Sequence, residues 1–143
     1  MEIKHIDECN YDAVKEFLLS VKTIKDIDDN VLNNAIVVLD NNEVCGAVSY
    51  EKFGSDALIR YFVFKRNLSN DVVIQLFDGL ENQAKLANIG DIYCVVNSGP
   101  IEELFVQLGF KKEEHKQIYI DESSFDLDGN NNAFVMRKEL YIA

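Results

Sequence analysis

Apolar positions along the chain change period repeatedly, and each change marks an element. Met1 to Ile6 predicts a first strand. Asn10 stands where a helix cap belongs, ahead of Ala13, Val14, Phe17, Leu18 and Val21 at helical spacing. Thr23 to Asn33 is polar, with room for a second short helix. Ala35 to Leu39 is a β-branched run, Asp40-Asn41-Asn42 a hairpin signal, and Val44 to Glu51 the returning strand. Phe53-Gly54-Ser55-Asp56 marks a turn before the longest strand, Ala57 to Lys65. Val73, Leu76, Phe77, Leu80, Ala84 and Ala87 keep one face of a long helix apolar, and Asn88 with Gly90 ends it. Ile92 to Val96 is almost wholly apolar, as in a strand covered on both faces. Pro100 suits the first turn of a further helix bearing Ile101, Leu104, Phe105 and Leu108, with Gly109 as its stop. Gln117 to Ile120 and Ala133 to Arg137 bracket the polar stretch from Asp121 to Asn132, the pattern of a closing hairpin with a long connection.

Strands in hairpins interleaved with covering helices predict an α+β, or mixed α/β, fold in one domain spanning residues 1–143. The chain has a single proline and no low-complexity stretch, so no linker divides it. With 14 basic and 25 acidic residues the net charge is -11, which argues against a phosphate-backbone partner. The same field would mildly attract amines. Cys9, Cys45 and Cys94 lack metal-ligand spacing, and their odd number fits a reduced, intracellular protein. No stretch is apolar enough to span a membrane, and the first residues are charged. The expectation is a cytoplasmic protein.

Two local signatures give this element order a resemblance. Asn97 closes the apolar strand and is followed by Leu104-Phe105-Val106-Gln107-Leu108-Gly109-Phe110. Val63, Leu76 and Phe77 fall, without a gap, on the apolar positions of the pattern V-x-P-x-x-R-G-x-G-x-G/A-x-x-L-L. The chain is therefore similar to the GNAT acyltransferases over nearly its whole length, as a divergent member. That resemblance implies a central, mostly antiparallel mixed sheet flanked by helices. It implies acetyl-CoA in the splay between the fourth and fifth strands, lined by Phe62, Val63, Phe64, Asn97 and Phe105. Its pyrophosphate would rest on the helix start at Ser69, Asn70, Asp71 and Val73, where unpaired N–H groups and the helix dipole favour anions.

The residues that usually carry the chemistry are missing. Leu68 takes the pattern's arginine position, and Ser69, Asp71 and Val73 take its glycine positions. Ser69-Asn70-Asp71 reads as a helix capping itself, with Asp71 suited to that task and opposed to a phosphate; Lys65 and Arg66 stand nearby to offset it. The predicted fourth strand contains no acid to take the amine proton, so Glu51 at the end of the third is the nearest candidate. Phe105 replaces the tyrosine that serves the family as general acid, leaving the catalytic residues unassigned. By resemblance the function is transfer of an acetyl group to a small amine or a peptide amine; the competing function is a non-catalytic GNAT-like module that binds a ligand or a protein.

Other signals carry less. Ser124 to Gly129 looks like half a calcium loop, but the closing acid falls at Val135. His5 and His115 have no partner spacing for zinc. Cys94 reads as a small core residue.

Overall fold

The structure, a computed structural model, describes residues 1–22, 24–97, 99–112 and 133–140. Seven strands form one sheet in the order β1-β2-β3-β4-β5-β7-β6. They are β1 (Glu2–His5), β2 (Ile36–Asp40), β3 (Glu43–Phe53), β4 (Asp56–Phe64), β5 (Asp91–Asn97), β6 (Lys111–Lys112) and β7 (Ala133–Glu139). Every pairing is antiparallel except β4–β5. The helices are α1 (Tyr11–Leu19), α2 (Asp29–Leu32), α3 (Asn70–Leu86) and α4 (Pro100–Gln107).

Two apolar clusters sandwich the sheet. On one face α3 and α4 bury Leu76, Phe77, Leu80 and Phe105 against Val48, Tyr50, Ile92 and Cys94. On the other, α1 and α2 bury Val14, Leu18 and Leu32 against Val37, Leu39 and Ala47. Apart from Leu32 on α2, these helix residues lie on the faces read from the sequence, and burying such side chains stabilises by about 1.5–3 kcal/mol each.

Local chemistry sets the joints. Asn41 and Asn42, with φ of 51° and 66°, form the two-residue turn between Asp40 and Glu43. Asn88 at φ 63° ends α3, and Gly109 at φ 95° follows α4. Asn10 stands at the start of α1, but its side chain does not cap the helix. It accepts instead from the Asp7 N–H at 2.8 Å, bracing the loop after β1. The polar stretch after α1 contains one helical turn, α2, capped by the Asp28 side chain accepting from the Asn30 N–H at 2.9 Å.

One further reading changes. The fifth strand is not covered on both faces: Cys94 and Val96 are buried, whereas Val95 is 39% exposed. Of the closing hairpin, Ala133–Glu139 is a strand, paired in order with β5 and with the short β6. Residues 117–120, the polar connection and the calcium-like segment lie outside the described residues.

Candidate functional site

The site is built by an irregularity in β4. This strand pairs with β3 as Ala47↔Val63 and Ser49↔Arg60, so Tyr61 and Phe62 together stand opposite Val48. The extra residue is a β-bulge, and Tyr61 takes it at φ 56°, the left-handed region. A bulge reverses which face each later residue meets. Before it, Ala57 and Ile59 face α3; after it, Phe62 and Phe64 do, while Tyr61 and Val63 face the α1 and α2 side.

The same bend opens the sheet. β4 and β5 run parallel and pair only over Asp56↔Asp91, Ala57↔Ile92 and Leu58↔Tyr93. From Ile59 onward β4 has no ladder partner on that side, while β5 continues along β7 as far as Asn97. The result is a wedge floored by aromatic rings. Phe62 lies 5.5 Å from Phe64, 6.0 Å from Phe77 and 5.7 Å from Phe105, measured between ring centres. Phe105 packs edge-on against Phe77 at 6.1 Å and Phe110 at 5.1 Å. Its ring is therefore a buried tie between α4 and the bulged strand.

At the end of β4, Lys65 bonds Glu43 at 2.7 Å, and Arg66 is left exposed. The lysine lowers the Glu43 pKa through that hydrogen bond, so the pair is charged on both sides. Leu68 folds into the core beside Gly46 and Phe64. Ser69 is the cap of α3, its hydroxyl accepting from the Val72 N–H at 3.3 Å. The cap is thus serine and not Asp71, which stands exposed in the first turn beside exposed Asn70. Val73 is 1% exposed and points into the core, so its side chain does not obstruct the helix start.

The structure thus brings Phe62, Phe64 and Phe105 together and groups Ser69, Asn70 and Asp71, buries Val73 in the same core as the phenylalanines, and turns the side chain of Val63 to the opposite face. Asn97 ends β5 in register with Ala133. Three neighbours of the wedge lay outside the candidate cofactor residues. Tyr61 reaches the segment before α2, its hydroxyl accepting from the Asp28 N–H at 2.9 Å. Arg60 and Glu51 form an ion pair at 2.5 Å on the face away from α3. The bulge that organises them leaves no residue-type signal, since tyrosine is an ordinary strand residue.

Two further groups are not part of the wedge. Burial pushes the Cys94 thiol pKa far up, which keeps it protonated and a poor nucleophile. A surface concavity of about 450 Å³, lined by His5, Asp7, Glu8, Tyr11 and Asp12 among others, opens between β1 and α1, at the β1 edge of the sheet and away from the β4–β5 wedge.

A mixed sheet with one parallel pair prised apart after three residues, and helices on both faces, has close structural counterparts. An acetyltransferase of the GNAT family from Staphylococcus aureus superposes with TM-score 0.70 at 18% identity, over 98% of this chain and 99% of that one. The fold is that of the GNAT acetyltransferases. An aminoglycoside 6'-N-acetyltransferase from Enterococcus faecium matches with TM-score 0.73 and 15% identity, over 100% and 99% of the two chains. N-acetylglutamate synthase from Neisseria gonorrhoeae, complexed with coenzyme A and N-acetyl-glutamate, gives TM-score 0.75 at 12% identity. The GNAT-like chain spans 35% of that longer protein, with 99% of its own length covered. No family model and no curated protein matches the sequence.

Proposed function

We propose that the protein is an acetyl-CoA-dependent N-acetyltransferase acting on a small amine. One observation carries this reading: β4 and β5 are joined over Asp56 to Leu58 and open from Ile59, leaving an unpaired strand edge above an aromatic floor. An amide-containing pantetheine arm fits such an edge, because it offers donors and acceptors to unpaired backbone groups. Phe62, Val63 and Phe64 would supply that edge, Asn97 the facing strand end, and Phe105 the floor. The N–H groups of Asn70 and Asp71 have no intrahelical partner and would face the pyrophosphate, with Arg66 nearby. When bound, acetyl-CoA supplies a thioester whose acyl carbon is open to an amine.

The remaining work falls to few residues. No hydroxyl stands at position 105, so the sulfur leaves without help from that side chain. A thiol pKa of about 8.5 makes thiolate a tolerable leaving group near neutral pH. Glu51 is the carboxylate available beside the wedge, across from Leu58 where the two strands part. It would take the amine proton only by loosening its bond to Arg60. Turnover is therefore slow.

Titration calorimetry tests the cofactor half. Asp71 beside the pyrophosphate predicts a dissociation constant for acetyl-CoA weaker than ~100 µM, about -5.5 kcal/mol. Asp71→Gly should tighten it by removing a like charge. Low-micromolar binding in the unmodified protein would overturn the repulsion argument, and no binding to either protein would end the acetyl-CoA reading. A second reading is favoured by the buried, hydroxyl-free Phe105 ring: a GNAT-like module that holds an acyl-CoA or a protein partner without chemistry. Measurable acetyl-CoA binding without thiol release across an amine panel would select it.

A further inference from the structure

On the sheet face opposite α3 and α4, β3 and β4 place Glu51 and Arg60 side by side at the mouth of the wedge. Arg60 Nη1 donates to Glu51 Oε1 at 2.5 Å, and its guanidinium carbon lies 5.4 Å from the centre of the Tyr61 ring. Tyr61 is itself anchored by the Asp28 N–H, so the guanidinium rests on a fixed platform. The side chains remain 25% and 26% exposed. Leu58, which pairs with Glu51 across the strands, is 2% exposed.

As an ion pair it is incomplete. A guanidinium has five N–H donors in a fixed fork. Among the described residues a single bond to Glu51 engages the Arg60 side chain, and the second Glu51 oxygen accepts nothing. Arg137, on the same face across β5, is different: it bonds Asp91 at 3.0 Å and Glu139 at 3.1 Å. Among the described residues of this face, Arg60 keeps donors to spare.

A half-used pair of this kind would discriminate among amines. A bare ammonium is drawn to an acidic protein, but Arg60 cancels the attraction of Glu51 at the place of reaction. A molecule carrying both an amino group and a carboxylate meets two complementary charges instead. The α3 and α4 layer packs on the opposite face, so the charged side chains offered to an acceptor are those on this side, where Glu51 and Arg60 stay partly exposed.

We propose that Glu51 and Arg60 select the acceptor, and that it is a small zwitterion of the α-amino acid type. Its carboxylate takes the free edge of the Arg60 fork, and its amino group faces Glu51. This rests on the acetyl-CoA reading for the chemistry that follows. The amine nitrogen bonds the acyl carbon, the carbon–sulfur bond breaks, and the sulfur keeps the electron pair as thiolate. The zwitterion's ammonium gives up two protons in all: one passes to Glu51 and on to solvent before attack, freeing the lone pair, and the second leaves to solvent as the amide forms.

The test uses binding, so it does not depend on turnover. Ligand-observed NMR compares L-amino acids with their C-terminal amides, which keep the amine and lose the carboxylate, with and without CoA. At least one amino acid should bind ~10-fold or more tighter than its amide, the worth of a charged hydrogen bond. Arg60→Gln should erase that preference, Arg60→Lys should keep only part of it, and both should leave CoA affinity unchanged by calorimetry. Equal binding of acid and amide, no amino-acid binding at all, or a preference that survives Arg60→Gln overturns the proposal. Failure of the acetyl-CoA reading registers separately, as absent CoA binding in the calorimeter.

Discussion

Single residues decide what this GNAT-fold chain can do, and Phe105 does so by where its ring lies. At 4% exposure, amid Phe62, Phe77 and Phe110, it is a packing residue that ties α4 to the bulged strand. A hydroxyl placed there without a partner costs about 1–3 kcal/mol. Phe105→Tyr should therefore lower the unfolding free energy by that amount in chemical denaturation without cofactor, and saturating acetyl-CoA should recover part of the loss. A neutral substitution would mean that the ring edge already reaches water in the wedge, and would strengthen the case for restoring a proton donor by this change. The phenylalanine itself was plain in the sequence; that its neighbours are three other phenylalanines was not, because they arrive from β4, α3 and the segment after α4.

At the scale of elements, the start of α3 shows which of three polar residues makes a cap. The sequence Ser69-Asn70-Asp71 announced a capped terminus, and the cap is there, made by Ser69 on Val72. Which of three polar residues caps depends on backbone angles at the joint: Ser69 is extended, at φ -69° and ψ 154°, while Asp71 already lies within the helix. Ser69→Ala should cost about 1 kcal/mol of stability, read as a lowered thermal midpoint. It leaves Asp71 in place, so acetyl-CoA affinity should change far less than with Asp71→Gly. If Ser69→Ala and Asp71→Gly shift affinity equally, the pyrophosphate contacts the serine and the phosphate placement is wrong. The hairpin at Asn41-Asn42 and the stops at Asn88 and Gly109 were legible for the same reason as the cap, since each depends on side-chain chemistry within a few residues.

At the scale of the whole molecule, Lys138 joins elements far apart in sequence. Lys138 on β7 donates to the Leu108 carbonyl at 2.7 Å and to Glu81 on α3, joining a strand to two helices that cover the wedge from below. With side-chain exposures of 24% and 13%, the pair is shielded enough for its loss to leave an uncompensated carboxylate. Lys138→Ala should lower stability by about 2–3 kcal/mol in urea unfolding, as expected for charge-assisted bonds. A change below ~0.5 kcal/mol would show that solvent replaces the lysine freely. By itself the sequence determined the order of elements as far as α4, the apolar faces of the long helices, the turns, and the residue types missing from the expected chemistry, because periodicity and turn preference act over a few neighbours. Tertiary structure alone decided where β4 gains its extra residue, which side chains then change face, and how far β4 and β5 stay joined. Those outcomes follow from pairing across strands distant in sequence, and they set Glu51, Arg60 and Tyr61 at one edge of the wedge.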